Sequence, residues 1–333
     1  MTYDFIAIGG ATRDISFFTD QGLLIDNPHD ILRQKLLAFE YGAKIKVDRF
    51  YYNYGGGAAN ASVNFANFGL KSACLAAIGQ DENGHAILKN LHHRGVSTAL
   101  IKKLPKEDSG FSFILISEGE RIIFTERGAN NHLSLDNHDL KILKKTRNIY
   151  LSSLSGNWLS ILKKVFPIVR RYGIKVSWNP SESQYASGLG KLAPFLEDTY
   201  VFSVNKDEAI ELALISFGDK KLNHRFLNNE KNLLKIIKGF GPRIAVVTSG
   251  GHGAYAYDGH KFYYQPILKE KKRLDTTGVG DLFNSTFAAG LEIYQGDIQK
   301  ALYLGAKNTA SKIAHLGAQN GLIKVKGFKS LAK

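Results

Sequence analysis

Short apolar runs alternate with longer amphipathic stretches along most of this 333-residue chain. Apolar runs bounded by glycine or polar turns predict buried strands, and they lie at 3–9, 72–79, 148–154, 173–179, 199–205 and 243–250. Apolar positions at helical spacing predict helices at 57–68, 84–94, 157–172, 206–216, 230–238, 281–294 and 297–316. This alternation predicts an α/β fold in which a central, mostly parallel sheet is covered by helices.

Two regions instead alternate apolar and polar residues with a period of two. They are residues 44–54 and the runs "FSFILIS" and "RIIFTER" on either side of the "EGE" turn at 118–120. Such alternation is typical of strands with one solvent-facing side, and it predicts a small antiparallel accessory sheet. Near the ligand-binding end of a parallel sheet this sheet would act as a lid, although a decorative hairpin has the same pattern.

Composition narrows the class of protein. The formal net charge is +14, but the basic residues form short scattered clusters with no nucleic-acid-binding signature, so we expect a solvated basic surface and no nucleic-acid partner. No apolar run approaches the length of a membrane span, and "MTYDFIAIGG" lacks a signal-peptide pattern. The single Cys74 excludes an intrachain disulfide. We therefore expect a soluble cytoplasmic protein with no membrane partner.

The stretch "DTTGVGD" at 275–281 is the strongest candidate for chemistry. Two glycines one residue apart allow unusual backbone conformations, and the apolar helix that follows begins with amide N–H groups that have no intrahelical acceptor. Such a helix N-terminus suits an anion. Asp281 could be a first-turn capping residue, or a base that takes a proton from a hydroxyl attacking a bound phosphate.

Other glycine-rich or polar stretches follow predicted strands. "GGGAAN" at 55–60 and Asp14 could hold the hydroxyls of a polar ligand. Asn205 and Glu208 could form a helix cap or a site near hydrated Mg²⁺. "TSGGHGA" at 248–254 is a candidate nucleotide edge.

These motifs occur in the order seen in the ribokinase-like sugar kinases of the PfkB carbohydrate kinase family, which the chain resembles over nearly its whole length. "GQDENG" at 79–84 belongs to the same series, and neither a P-loop nor a protein-kinase motif set is present. The resemblance implies one domain over 1–333 with a three-layer α/β/α fold. It also implies a small β-sheet lid at about 13–55 and 96–128. The reaction implied is transfer of the γ-phosphoryl group of ATP to a primary hydroxymethyl group.

The resemblance also implies roles for particular residues. Asp281 resembles the catalytic base, and the anion-hole residues would be Thr277, Gly278, Val279 and Gly280. Asn205 and Glu208 resemble the Mg²⁺ element. The ATP-binding positions would be Thr248, Gly250, Gly253 and, in the adenine pocket, Asn308. Asp275 and Thr277, with "HLGAQN" at 315–320, resemble a loop that binds a monovalent cation such as K⁺ in many members.

The acceptor is less well specified by these motifs. Positions that resemble sugar-binding residues are Asp14, Gly55, Gly56 and Asn60. Thr12 and Gly57 stand where ribokinases usually have Asn and Lys, which argues against D-ribose. Aromatic residues crowd the expected lid: Phe17, Phe18, Phe50, Tyr51, Tyr52, Tyr54, Phe111 and Phe113. They could stack on a nucleoside, fill the lid's own core or form a homodimer surface. A sugar acceptor is preferred, a nucleoside is the alternative, and a sensor without activity is a third.

Overall fold

The computed structural model describes residues 3–27, 35–117, 120–217, 223–270 and 272–325. Numbered in chain order, the strands are β1 Tyr3–Ile8, β2 Thr12–Phe18, β3 Leu23–Asp26, β4 Lys35–Ala38, β5 Arg49–Gly55, β6 Ser72–Leu75, β7 Ala77–Gly79, β8 Lys102–Leu104, β9 Phe111–Ser117, β10 Glu120–Glu126, β11 Thr146–Leu151, β12 Lys175–Trp178, β13 Val201–Asn205, β14 Ile244–Thr248, β15 Ala254–Tyr257 and β16 Phe262–Gln265.

The helices are numbered in the same way. They are α1 Gly57–Asn67, α2 Glu82–His93, α3 Asn137–Leu143, α4 Trp158–Tyr172, α5 Glu182–Tyr185, α6 Leu189–Leu196, α7 Lys206–Phe217, α8 His224–Leu227, α9 Glu230–Gly239, α10 Val279–Ile293 and α11 Ile298–Lys312. Short 3₁₀ turns lie at Gly128–His132 and Gly250–His252. No helix in the described ranges is both long enough and apolar enough to cross a membrane.

A single large sheet forms the centre of the molecule. Its strand order is β16-β15-β14-β13-β12-β11-β1-β6, and the six strands from β14 to β6 are parallel. Each of these six strands overlaps one of the apolar runs found in the sequence. The antiparallel edge pair β15 and β16 was not predicted, because its four-residue strands, "AYAY" and "FYYQ", are short and rich in tyrosine rather than apolar runs.

Helices cover both faces of this sheet. Alternate residues of β1 belong to different cores, with Ile6 and Ile8 on one side and Phe5 and Ala7 on the other. The first core includes apolar residues of α4, α7 and α9, and the second includes those of α1, α2 and α10. A strand sends successive side chains to opposite faces, so this division defines three layers. The predicted three-layer α/β/α fold is confirmed.

A second sheet of four strands, in the order β10-β9-β2-β5, forms the lid. The prediction of a purely antiparallel accessory sheet is wrong, since β2 and β9 are parallel, while β2 with β5 and β9 with β10 are antiparallel. The lid sheet also contains fewer residues than the predicted ranges. Residues 44–48 precede β5, and β8 pairs with β7 rather than with the lid. An additional hairpin, β3 with β4, lies within the first lid segment.

The two faces of the lid differ in chemistry. Asp14 and Ser16 of β2 are buried, and their partner Asn53 of β5 is buried on the same side. We call this side the inner face. The outer face carries large exposed side chains, among them Phe50, Tyr52, Phe113 and Phe124, which are 48–60% exposed. Six of the eight aromatic residues predicted for the lid follow the outer-face alternation, and only Phe18 and Tyr51 follow the inner one.

Candidate active site

The first turn of α10 lies where the motif "DTTGVGD" predicted an anion site. Gly278 precedes the helix in a left-handed conformation, with φ of 71°. A Cβ at this position would lie 2.5 Å from the Cβ of Ala318, so both the backbone angle and the close approach require glycine. This turn starts α10 beside the loop at 315–320 and brings Asp281 into its first turn.

A chain of side-chain amides orients the Asp281 carboxylate. Asn60 Nδ2 donates to Asp281 Oδ2 at 3.0 Å, and Asn60 Oδ1 accepts from Gln319 Nε2 at 3.0 Å. Asn90 Nδ2 of α2 in turn donates to Gln319 Oε1 at 2.8 Å. Asn60, which the sequence predicts to bind the substrate that accepts the phosphoryl group, therefore uses both ends of its side-chain amide in hydrogen bonds within the protein. Its contribution in this structure is to hold the carboxylate in position.

Burial raises the pKa of Asp281. The hydrogen bond from Asn60 and the positive charge of Arg121 oppose this shift without cancelling it. Gly57 faces the same carboxylate, since a Cβ there would lie 3.3 Å from Asp281 Oδ1 and 2.8 Å from Ser152 Cβ. The missing side chain leaves room at the carboxylate. A half-buried carboxylate with a raised pKa is a suitable proton acceptor.

Only part of the predicted anion hole has free backbone donors. The Thr277 amide donates to Asp275 Oδ1 at 2.7 Å, and the Val279 amide donates to the Thr276 carbonyl at 3.2 Å. The assignment of those two amides to the anion hole is therefore corrected. The amides of Gly280 and Asp281 lie in the first turn of α10, where no intrahelical acceptor exists. Gly280 has open space around it and lines the adjacent cavity.

The acceptor side is formed by the lid strands and the start of α1. Thr12 Oγ1 donates to Asp14 Oδ1 at 2.8 Å, and a Cβ on Gly55 would lie 2.1 Å from Asp14 Oδ2. Gly56 has φ of 86° and lies against the backbone of Gly10. These two glycines let the chain pass from β5 into α1 directly beside the Asp14 carboxylate.

Asp14 is a buried carboxyl group near two others. Burial raises its pKa, the hydroxyls of Thr12 and Ser112 oppose that, and the charges of Asp281 and Asp275 raise it further. Arg121, on the same face of the lid as Asp14, contacts Thr276 just before α10. The inner face of the lid therefore lies against the start of α10, although Asp14 and Asp281 are 267 positions apart in the chain.

A cavity of about 470 Å³ lies beside the α10 N-terminus. The predicted nucleotide residues Thr248, Gly250 and Gly253 line one wall, together with Asn205. The remaining wall is largely apolar and comes from α10, α11 and the segment after β16: Phe283, Ala306, Ala310, Ile313, Pro266, Ile267 and Leu268. An apolar slot that ends at helix amides and polar strand ends suits a nucleotide, with its base in the slot and its phosphates at α10.

Asn308 does not line this cavity. It is completely buried, its Nδ2 donates to Asn64 Oδ1 and Thr286 Oγ1 at 2.9 Å each, and its Oδ1 accepts from the Ile323 amide at 2.8 Å. These bonds tie α11 to α1, α10 and the C-terminal segment. The prediction that Asn308 lines an adenine pocket is therefore wrong. Its helix neighbours Thr309 and Ala310 reach the cavity instead.

Arg121 of β10 is a site residue that the motifs did not identify. Its Nη1 donates to Thr276 Oγ1, and its guanidinium lines the cavity. The lid thus brings a positive charge to the loop before α10. The period-two pattern of "RIIFTER" could have placed Arg121 on the inner face, but nothing in the local sequence indicates the contact with Thr276.

Asn205 and Glu208 form a reciprocal cap at the start of α7. The Glu208 amide donates to Asn205 Oδ1 at 2.9 Å, and the Asn205 amide donates to Glu208 Oε2 at 2.8 Å. Burial, aided by the charge of Asp281, raises the pKa of Glu208 to about 7 against the effect of the Asn205 amide. A nearby divalent cation would relieve this accumulation of negative charge.

The donor set fits Mg²⁺ held through water and phosphate rather than a cage of protein ligands. Among the described residues, no three His, Cys, Asp or Glu side chains lie close enough together to bind a metal ion. One or two carboxylates with several waters is the usual arrangement for Mg²⁺ beside a nucleotide.

Asp275 is buried at the start of the loop that leads into α10, and it is paired with Lys312. Lys312 Nζ lies 3.3 Å from Asp275 Oδ2 and donates to the Asp275 carbonyl at 2.8 Å. Burial opposes ionisation of Asp275, but Lys312 and the amides of Thr277 and Gly317 outweigh it, so the pKa of Asp275 is lowered. Burial lowers the pKa of Lys312 to about 8, with Asp275 opposing.

Free amides at a helix N-terminus, a half-buried carboxylate beside them and a lid above them form the arrangement expected of a phosphotransferase site. The family model described as pfkB family carbohydrate kinase matches residues 29–325. The chain belongs to this family, and the predicted family, fold and enzyme class are confirmed.

Individual proteins are similar to this chain in sequence or in fold. An uncharacterized sugar kinase of Archaeoglobus fulgidus is 28% identical over 263 residues, which cover 78% of this chain and 98% of the relative. The structure of Arabidopsis thaliana ribokinase complexed with ribose and ATP has a TM-score of 0.78, 19% identity and coverage of 100% and 99% of the two chains. That of Burkholderia thailandensis nucleoside kinase in complex with inosine has a TM-score of 0.75, 17% identity and coverage of 96% and 94%.

Proposed function

We propose that this kinase transfers the γ-phosphoryl group of ATP to the primary hydroxymethyl group of a furanose-type sugar. The observation that carries the proposal is the half-buried Asp281 carboxylate, whose pKa is raised, in the same turn as the free amides of Gly280 and Asp281. Family membership supports ATP as the phosphoryl donor.

In the proposed step, Asp281 takes the proton of the hydroxymethyl group. The hydroxymethyl oxygen bonds to the γ-phosphorus while the bond from that phosphorus to the β,γ-bridging oxygen breaks, and ADP leaves with the electron pair. The amides of Gly280 and Asp281 and the guanidinium of Arg121 stabilise the charge on the transferred group. Mg²⁺, held through water by Asn205 and Glu208, would neutralise phosphate charge when bound.

The inner face of the lid favours a sugar. Near Asp14 it presents small polar groups, namely Ser16, Asn53 and Ser112, which suit hydroxyls, while most lid aromatics are on the outer face. A nucleoside is the second candidate because Phe18 and Tyr51 follow the inner-face alternation, with ring centroids 6.1 Å apart. A sensor without activity is disfavoured, because the proposed base and its neighbouring amides are intact.

Coupled ADP release over a panel of acceptors tests the proposal. The panel contains ribose, fructose, 2-keto-3-deoxygluconate, fructose phosphates, adenosine, inosine and cytidine, each with ATP and Mg²⁺. We expect a sugar to have the highest kcat/KM. Nucleosides winning by about 10²-fold would assign Phe18 and Tyr51 to base stacking, which is worth about 1–3 kcal/mol per base. No turnover of any acceptor by a folded, ATP-binding enzyme would contradict the proposal.

We further propose that the chain acts in the cytoplasm as a homodimer joined through the outer face of the lid. The support is the group of exposed rings on that face, since a contiguous apolar patch on a sheet marks an interaction surface. Light scattering after size exclusion should give a dimer mass. Phe113→Ser combined with Tyr52→Ser should give a monomer, and a wild-type monomer would contradict the proposal.

A further inference from the structure

Lys312 is unusual for a lysine because its side chain is completely buried. It is the last residue of α11, and its ammonium group contacts both the carbonyl and the carboxylate of Asp275, which is itself buried. A lysine is almost never fully buried without a partner of opposite charge. The pair therefore places a positive charge, present below the Lys312 pKa of about 8, beneath the loop that leads to the α10 N-terminus.

This is the loop whose sequence resembles a monovalent-cation site. The residues present do not fit a free ion. Asp275 Oδ1 accepts from the Thr277 amide at 2.7 Å, and Oδ2 accepts from the Gly317 amide at 2.7 Å. The Asp275 carbonyl accepts from Lys312 Nζ. A K⁺ ion bound to these oxygens would lie within a few ångströms of the ammonium group, where like charges repel strongly in a low-dielectric interior.

The same contacts join two segments that are distant in the chain. The Leu274 amide donates to the Ile313 carbonyl at 2.9 Å, and Asp275 bonds to Gly317, 42 positions later. Because Asp275 also holds the Thr277 amide, the position of the ammonium group fixes the turn immediately before Gly278. The charge thus acts on the catalytic loop through Asp275, without touching the substrates.

We propose that the ammonium group of Lys312 replaces the monovalent cation, so that this kinase needs no K⁺ to order its anion-binding loop. Lys312 is a positioning residue in this proposal. The kinetic part of the inference rests on the proposed function, whereas cation binding at Asp275 can be measured independently of turnover.

The wild-type enzyme gives the first test. Its kcat and its dissociation constant for ADP, measured by calorimetry, should change less than about twofold between tetramethylammonium chloride and KCl at an equal ionic strength near 0.1 M. A crystal soaked in thallium(I), which replaces K⁺, should show no anomalous peak beside Asp275. A thallium peak there, or activation by K⁺ of about tenfold or more, would overturn the proposal.

Substitution of Lys312 gives the second test. Lys312→Ala should lose about tenfold or more in kcat without added cation, with acceptor KM little changed, because positioning of the transferred group is impaired. K⁺ or NH₄⁺ should restore most of that loss, tetramethylammonium should not, and thallium should now bind beside Asp275. Lys307→Ala, which removes an exposed lysine of the same helix, should behave as wild type.

Lys312→Met is the companion variant, since it keeps most of the side-chain length and removes the charge. It should lose activity and gain less cation rescue than Lys312→Ala, because its longer side chain still occupies most of the space. If neither variant folds, as judged by circular dichroism, the wild-type thallium and calorimetric measurements decide the matter. If no acceptor is phosphorylated, the proposed function fails, and the thallium and ADP-binding results still support or overturn the role of Lys312.

Discussion

The environment of Asp281 favours its proposed role as a proton acceptor but lowers the stability of the folded protein. A carboxyl group whose pKa is raised on folding binds its proton more tightly in the folded state, so at neutral pH its ionised form destabilises the fold. The bond from Asn60 keeps the charged group oriented but does not offset its burial. Loss of activity on substitution should therefore be separable from loss of stability.

Asp281→Asn should lower kcat by about 10²-fold or more, because the amide cannot accept the hydroxyl proton. Its melting temperature should stay the same or rise, since the buried charge is removed. Steady-state kinetics and calorimetric melting measure the two effects. Near-normal turnover would show that another group is the base, and a large fall in melting temperature would make the residue structural.

The pH dependence of kcat should follow the same carboxyl group. Protonated Asp281 cannot act as a base, so activity is present above its pKa and is lost as the pH falls through it. Because burial raises that pKa, the acid limb should lie above the ordinary aspartate value of about 3.9. The check is kcat at saturating substrates across the acid range. Constant kcat down to about pH 4 would contradict the assignment.

Arg121 should contribute charge to the transferred phosphoryl group from the lid. Arg121→Gln keeps a polar side chain but removes the charge, and we expect kcat to fall by about tenfold or more. Arg127→Gln is a matched control, because Arg127 is an exposed arginine just after the same strand. Equal kinetics for the two variants would limit the role of Arg121 to its contact with Thr276.

At the scale of elements, the start of α7 combines a structural and a chemical role. Glutamine can replace glutamate in a capping box, so Glu208→Gln should keep the reciprocal bonds with Asn205 and remove only the charge. We expect melting to change little and the Mg²⁺ concentration for half-maximal activity to rise several-fold. Unchanged Mg²⁺ dependence together with reduced melting would restrict Glu208 to capping.

The lid is the part of the fold for which the sequence-based prediction and the structure differ most. Period-two alternation correctly indicated strands at β5, β9 and β10, but the parallel pairing of β2 with β9 joins segments about 100 residues apart and has no local signal. The same alternation assigns each aromatic residue to one of two faces. Only the pairing of the strands identifies which face covers the site.

At the scale of the whole molecule, the layer of helices containing α1, α2 and α10 should open only on global unfolding. Cys74 reports on it, because this thiol is 0% exposed among the apolar residues of that layer and burial raises its pKa to about 12. A thiol reagent near pH 8 should therefore leave the native protein unmodified for hours and react with one thiol in denaturant. Rapid reaction of the native protein would mean that this layer opens locally.

The sequence by itself determined the main elements of the central sheet and its helices, and the family. Apolar runs correspond to the six parallel strands because a strand buried on both faces must be apolar throughout. Helical spacing located the main helices because one stripe of each must face the sheet. The motif before α10 also predicted a glycine turn into a helix with Asp281 in its first turn, and the structure has both, since they depend on local backbone chemistry.

Only the tertiary structure decided the contacts that make this site particular. Asn60 meets Asp281 across 221 positions, Arg121 meets Thr276 across 155, and Lys312 meets Asp275 across 37. The structure also places Asn308 in the core rather than in the expected adenine pocket. A sequence pattern specifies which side of its own element a residue occupies. Which distant residue lies opposite depends on strand order and on how the lid folds over the sheet, and these are properties of the assembled chain.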